Sequence, residues 1–279
     1  MRQQHKGEQK LAIIIVNYKN YKVTQEFIDC FKNQTNKNFR IFVADLSDEK
    51  KSLNLFDFAE VISGINRGYS SGFNIGLKKA LDQKYSLFAN IGNDTRVNNN
   101  FVDCVLKVAQ KYPFSLIGAK IYYEKGYEYD KSRYKENELG HVLWYAGGII
   151  DWNNVFTKHI GVDEIDHGQY DKPTETDFVT GCFVLFDRDV FNKVGFWDEK
   201  YFLYYEDADF NERAKRKGIK LYFEPSIVLW HKNAQSSGGS GSLLQQKYQP
   251  INHLRFGLKY APFKTKLHLL KNYLLRLLK

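Results

Sequence analysis

The run LAIIIVNY (11–18) decides the fold. Its apolar residues are continuous and β-branched, with no polar residue between them. Such a strand must be covered on both faces, as strands are in a parallel sheet sandwiched between helices. The stretches that follow agree. A helical pattern comes next, with Phe27, Ile28 and Phe31 in its apolar set. FRIFVADLS (39–47) reads as a second strand and AEVISG (59–64) as a short third. GYSSGFNIGLKKALDQ (68–83) opens on small residues and becomes helical, YSLFANIG (85–92) is a fourth strand, and 98–111 is helical again. Strand alternating with helix predicts an α/β fold with a mostly parallel sheet.

Beyond residue 113 the pattern changes. FSLIGAKIYY, HVLWYAGGII and VFTKHIG predict strands or hairpins without clear helices between them. The charged, Tyr-rich piece 124–140 reads as an excursion, and TDFVTGCFVLFD (176–187) as one long strand. YEDADFNERAKRKG predicts a helix stopped at Gly218, followed by the strand IKLYFEP. NAQSSGGSGS (233–242) has the composition of a flexible loop, and the chain after it is helical. The expected organisation is one domain over 1–232, a Gly/Ser loop over 233–242 and a helical tail over 243–279. Within the domain the pattern divides at about 112, into 11–112 and 113–232.

Composition narrows the function classes. Hydrophobic residues make up 43% and charged ones 26%, which is ordinary for a globular chain and excludes a disordered one. The net charge of +9 is concentrated: 243–279 holds eight Lys/Arg and no acid. A nucleic-acid binder spreads its charge over a folded face, so no nucleic-acid partner is expected. Cys30, Cys104 and Cys182 form no CxxC pair and no disulfide framework, which points to a reducing cytosol. MRQQHKGEQK does not read as a signal peptide, and no apolar stretch approaches the roughly 20 residues of a membrane span.

In an open parallel sheet, ligands bind beyond the carboxyl ends of the strands. The residues there are Asn17 and Tyr18, then Asp45, then Asn66-Arg67-Gly68, then Asn93-Asp94-Thr95. No GxxxxGK[ST] loop is present and no GxGxxG follows the first strand, which argues against a kinase, a dinucleotide site or a nucleotidyltransferase. Gly68, Gly72 and Gly76 allow either a phosphate approach or close helix packing. Asp94 can hold a divalent cation together with substrate oxygens, or it can cap a turn. Glu206, Asp207 and Asp209 fit an acidic helix start, a metal site or a catalytic base. On a helix Asp209 points about 200° away from Asp207 and faces Arg213 at i+4.

Taken in order, VNYKN, VADLS, NRGYSSGFNIGL, NIGNDT, GCFVLFDRDVFNKVGFWDEKYFLYYEDADFNERAKRKG and VLWH resemble the family 2 glycosyltransferases. The likeness spans about residues 11–232, is strongest to the rhamnosyltransferase-like branch that builds bacterial polysaccharides, and implies that 11–112 is a nucleotide-binding half and 113–232 an acceptor half. It implies the GT-A fold, a Rossmann-like, mixed and mostly parallel sheet flanked by helices, and an inverting reaction. It also implies Asn17, Tyr18, Asp45, Arg67, Gly68, Asn74 and Asn93 at the nucleotide. Asp94 matches the last carboxylate of the DxD motif that binds Mn2+ or Mg2+; the first position of that motif is Gly92 here. His231 matches a histidine that completes the metal or diphosphate site. Asp207 matches the base and Glu206 its neighbour at the acceptor. Gly181, Trp197 and Asp198 match segments at the donor and acceptor sugars.

The resemblance implies a nucleotide-sugar donor, UDP- or dTDP-linked, and a glycan acceptor. The absence of QxxRW after the acidic pair points to transfer of one sugar per event. From Phe263 onward, Phe263, Leu267, Leu270, Leu274, Leu277 and Leu278 share one helical face, with Lys264, His268, Lys271 and Lys279 on the other. A basic amphipathic helix of this kind lies on an anionic membrane surface or packs on the body or a second subunit. The expected setting is the inner face of a bacterial plasma membrane, where lipid-linked glycans are assembled. The alternative is a carbohydrate-binding or scaffolding protein on a decayed transferase fold, which the missing first carboxylate allows and the retained ED pair opposes.

Overall fold

A computed structural model of the protein describes residues 10–233 and 241–277. Most of the expected Gly/Ser loop, the first nine residues, Leu278 and Lys279 lie outside the described residues. The first half runs β1 (Leu11–Asn17), α1 (Tyr21–Asp29), β2 (Phe39–Asp45), β3 (Ala59–Ser63), α2 (Tyr69–Asp82), β4 (Leu87–Ile91), β5 (Thr95–Val97) and α3 (Phe101–Lys111). Then come β6 (Ser115–Tyr123), β7 (Leu143–Tyr145), β8 (Gly148–Asp151), β9 (Phe156–His159), β10 (Thr174–Glu175), β11 (Phe183–Asp187) and α4 (Arg188–Val194). The chain ends with α5 (Glu206–Arg216), β12 (Lys220–His231), α6 (Leu243–Tyr260) and α7 (Phe263–Leu277).

The main sheet has the order β10-β12-β6-β11-β4-β1-β2-β3. Strands β4, β1, β2 and β3 are mutually parallel, β11 runs against both its neighbours, and β6 and β12 are parallel to each other. This is the mixed, mostly parallel α/β sheet that the sequence predicts. All seven residues of β1 are buried. Leu11, Ile13 and Ile15 enter one core with Phe27, Phe31 and Phe101. Ala12, Ile14 and Val16 enter the other with Phe73, Leu77 and Phe210. The unbroken apolar run therefore reflects a strand that serves two cores, each large side chain contributing about 1.5–3 kcal/mol by leaving water.

Two strand expectations are corrected. The run 176–187 is ladder only from Phe183. Ahead of it, Phe183 N–H turns back to the Thr180 carbonyl, which takes Gly181 out of the sheet. The strand expected to stop at IKLYFEP continues to His231, passing Pro225 at a register shift between Glu224 and Val228. Such an irregularity is where a strand tolerates a residue with no N–H. The tail is also tied down. Phe256 and Tyr260 of α6 share a third core with Phe178, Tyr205 and Ala208. On α7, Leu269 packs inward onto Gly257, while Phe263, Leu267, Leu270 and Leu274 are exposed.

Candidate active site

The carboxyl ends of β1 and β4, the turn before β11 and the start of α5 enclose a cleft of about 400 Å³. Its wall includes Tyr18, Gly68, Asn93, Asp94, Gly181, Glu206, Asp207 and His231, all of them expected site residues. A second cavity, of about 450 Å³, lies by Glu175, Asp177, Lys215 and Lys220 and contains none of them. The converging carboxylates and the strand ends single out the first cleft.

Asp94 follows β4. Its partner His231 is the last residue of β12, which reaches it because β5 pairs antiparallel with β12 in the register Thr95 to His231. His231 Nε2 then lies 3.3 Å from Asp94 Oδ1. His231 Nδ1 is buried without a hydrogen-bond partner among the described residues, and the ring packs edge-on against Trp144 with centroids 4.4 Å apart. At Gly92, the first position of the DxD pattern, a Cβ would sit 2.9 Å from Asp94 Oδ1. No group of three His, Cys, Asp or Glu among the described residues could enclose a metal. A carboxylate and an imidazole on one wall still suit a hard divalent cation that takes its other ligands from a diphosphate and water.

The acidic pair stands opposite. Asp207 Oδ2 accepts the Gly181 N–H at 2.7 Å, and Oδ1 accepts the Ala208 N–H at 2.7 Å. Asn211, one turn on, fixes this geometry: its amide exchanges hydrogen bonds of 2.8 and 3.0 Å with Val179 and donates to the Asp207 carbonyl at 2.6 Å. Glu206 is buried, and its Oε2 has no hydrogen-bond partner among the described residues. Burial, reinforced by the charge of Asp207, pushes the Glu206 carboxyl up to about 8. Burial also raises Asp207, opposed by the N–H groups of Gly181 and Ala208. Both carboxyls are thus raised by burial, and the N–H groups on Asp207 favour its charged form over that of Glu206, whose Oε2 lacks such donors among the described residues. Asp209 is fully buried and pairs with Arg213 at 2.7 Å, as expected, and also with Lys259 at 2.6 Å and the Tyr260 hydroxyl at 2.7 Å.

Several expected residues stand elsewhere. Trp197 is only 2% exposed and sits among Tyr69, Phe73 and Phe210, so it is core and not a sugar platform. Asn74 is occupied by the backbone of Trp197 and by Glu199. Asp198 accepts from the Lys200 N–H and approaches Lys259, away from the cleft. Asn17 and Asp45 are buried behind the wall, where Asn17 donates to Asp45 at 2.9 Å. Burial raises the Asp45 carboxyl, but donors from Ser47, Tyr21 and Asn17 outweigh it and leave the group below its ordinary value. Arg67 is exposed on the loop before Gly68. Gly68 has φ 102°, and a Cβ there would lie 2.3 Å from the Phe202 carbonyl oxygen, so only glycine fits.

Sequence reasoning missed Trp144, Asn90 and Tyr69. Asn90 donates to the Gly181 carbonyl at 2.5 Å and accepts from the Tyr69 hydroxyl at 3.0 Å. The polar Asn90 inside an otherwise apolar strand was the available signal. Cys182 is a half-buried thiol packed against the first core, and desolvation pushes it well up, in keeping with a filler role.

Residues 12–195 match the family model described as Glycosyl transferase family 2. The chain belongs to this family. The match ends before the acidic pair, so Glu206, Asp207 and helices α5 to α7 lie beyond the matched segment. Among its relatives is a low-salt glycan biosynthesis hexosyltransferase of Haloferax volcanii, 25% identical over 216 residues, which cover 76% of this chain and 63% of that protein. An N-acetylglucosaminyl-diphospho-decaprenol L-rhamnosyltransferase of Mycobacterium tuberculosis is 36% identical over 61 residues, 22% of this chain and 20% of the other. The chain thus spans under two thirds of the length of either relative. Solved structures with the same fold include GalNAc-T7 with UDP, GalNAc and Mn2+, at TM-score 0.63 and 15% identity over 84% of this chain and 44% of that one. A mannosyltransferase from Pyrobaculum calidifontis with GDP-Man and Mn2+ aligns at TM-score 0.55 and 11% identity, over 95% of this chain and 69% of that one. These are GT-A glycosyltransferases, and the chain shares their fold.

Proposed function

We propose that the protein is an inverting, non-processive glycosyltransferase. It moves one sugar from a nucleoside-diphosphate donor, UDP- or dTDP-linked, to a hydroxyl of a glycan. The observation that carries this is Asp207 at the start of α5, a carboxylate on the cleft wall held by the Gly181 N–H at 2.7 Å. In a single displacement the acceptor hydroxyl gives its proton to Asp207. Its oxygen bonds the anomeric carbon from the face opposite the diphosphate. The bond from that carbon to the diphosphate oxygen breaks, and the nucleoside diphosphate leaves with the electron pair. Glu206 keeps its proton and presents a donor to the acceptor.

Tyr18, Gly68 and Asn93 line the donor side of the cleft. Asp94 and His231 are the residues that would hold Mn2+ or Mg2+, which supplies charge neutralisation at the leaving diphosphate. Gly181 lets the donor sugar approach the backbone.

A lipid-linked, cell-surface glycan is the acceptor class we favour. Support comes from the decaprenol diphosphate named for the mycobacterial relative and from α7. On α7 the exposed Phe263, Leu267, Leu270 and Leu274 form one stripe, beside Lys264 and Lys271. A tail with eight cations and no acid complements an anionic leaflet. No helix among the described residues is long and apolar enough to cross a membrane. On the strength of the cationic, apolar-striped α7, we place the enzyme in the bacterial cytoplasm, peripheral at the inner face of the plasma membrane.

The test is turnover with a panel of UDP-, dTDP- and GDP-sugars and Mn2+, using polyprenyl-diphosphate sugars as acceptors, for the wild type and Asp207→Asn. Transfer abolished in the variant with donor binding kept is the expected result; full transfer by the variant would sink the reading. Flotation with vesicles containing anionic lipid tests α7. Loss of binding in a Leu267→Glu/Leu274→Glu double variant supports the membrane surface. Unchanged flotation combined with loss of a dimer would assign the stripe to a second copy.

A further inference from the structure

Helix α5 begins in an unusual way. Helix entry is ordinarily an extended residue whose side chain accepts a backbone N–H. Here the entry residue is Tyr205 at φ 68°, with no side-chain cap, and Tyr204 before it has φ 71°. Two successive left-handed residues, neither of them glycine, are disfavoured by their own Cβ atoms. They persist only where the surroundings fix them. They are also the two residues that turn the chain so that Glu206 and Asp207 face the cleft.

The fixing group comes from far along the chain. Asn252 on α6 is 1% exposed. Its Nδ2 donates to the carbonyls of Leu203 at 2.9 Å and Tyr204 at 3.1 Å. Its Oδ1 accepts from Arg255 at 2.6 Å, and the same guanidinium nitrogen donates to the Lys200 carbonyl at 2.5 Å. Arg255 thus sets the amide so that its NH2 faces the two carbonyls. Tyr205 completes the clamp: its hydroxyl donates to the Val155 carbonyl at 3.1 Å, and its ring packs against Phe256 of α6. No other side chain type reproduces this. Alanine leaves two carbonyls without their donor, and aspartate sets carboxylate oxygens against carbonyl oxygens.

We propose that Asn252 is a positioning residue for transfer: from α6 it holds the left-handed Tyr204–Tyr205 turn and so aims the Glu206–Asp207 pair at the acceptor. The inference rests on Asp207 as the base. It assigns α6, outside the matched family segment, a part in the chemistry as well as in packing. Asn252 touches no substrate; it acts through the backbone of the turn.

The experiment uses the full chain, with Asn252→Ala and the milder Asn252→Ser, which keeps one donor. Three quantities are read: kcat with the donor that turns over, affinity for UDP and Mn2+ by calorimetry, and amide hydrogen exchange across 203–208. Asn252→Ala is expected to lower kcat about 10–100-fold while UDP affinity stays within about twofold. Exchange at 203–208 accelerates ahead of the β1 and β4 amides, and Asn252→Ser falls between wild type and alanine in both respects. Unchanged kcat, or exchange at 203–208 that moves only with the whole domain, overturns the proposal. So does a fall in UDP affinity that matches the fall in kcat. If Asp207→Asn retains transfer, the base assignment fails by itself, whereas the exchange result still shows whether Asn252 holds the turn.

Discussion

Gly181 donates its N–H to Asp207 Oδ2 at 2.7 Å, and a Cβ on residue 181 would lie 3.2 Å from both that oxygen and the Asp207 Cβ. One glycine therefore both holds the carboxylate and leaves room for it. Gly181→Ala keeps the donor but pushes the carboxylate away, and kcat should fall about tenfold with donor affinity unchanged. Asp207→Asn should cost at least about 100-fold in kcat, the contribution of a general base. Steady-state kinetics beside nucleotide titrations measure both.

Glu206 makes stability depend on pH. Its ordinary value is 4.5, and burial with the Asp207 charge pushes it to about 8. Between these values the unfolded chain has released a proton that the folded one retains. Stability therefore falls as pH rises through that window and levels off above it. Glu206→Gln should flatten part of the slope and gain on the order of 1–3 kcal/mol at pH 8, with little gain at pH 4. Denaturant unfolding at a series of pH values reads this. A variant with an unchanged slope would show that Glu206 ionises freely in the fold.

Gly92 tests the geometry around Asp94. A methyl group there meets Asp94 Oδ1 at 2.9 Å, and the carboxylate is the movable party. Gly92→Ala should weaken Mn2+-dependent nucleotide binding about tenfold while thermal stability stays near wild type. Asp94→Ala should weaken it further. Calorimetry with UDP, with and without Mn2+, compares the variants directly.

Asp209 belongs to structure. Arg213, Lys259 and Tyr260 all converge on its fully buried carboxylate. Asp209→Ala leaves those donors without their acceptor and should cost about 3 kcal/mol of stability. Tyr260→Phe removes a single hydrogen bond and should cost about 1 kcal/mol. Chemical denaturation gives both values, and UDP affinity should stay unchanged in the folded variants.

Much of the fold was legible because each signal is local. The apolar run of β1 announces burial on two faces, and Gly218 after α5, at φ 75°, ends that helix as its position implies. The i,i+4 spacing alone placed Arg213 on Asp209. Trp197 was not legible: an aromatic residue beside a site segment reads equally well as a sugar platform or as core, and only its neighbours Tyr69, Phe73 and Phe210 decide. Asn74 and Asp198 misled in the same way, since a polar side chain can serve a ligand or its own backbone.

The sequence by itself determined the element order, the two-faced sheet, the acidic start of α5 and the basic, amphipathic character of the tail. These follow from periodicity and composition within one segment. Tertiary structure decided which distant residues meet. The β5–β12 register brings His231 to Asp94, and the turn before β11 brings Gly181 to Asp207. Packing of α6 brings Asn252 to the turn at Tyr204 and Tyr205. Each of these contacts joins segments between 26 and 137 residues apart. No local pattern records them, because the free energy that selects them comes from cores and ladders shared across the whole sheet.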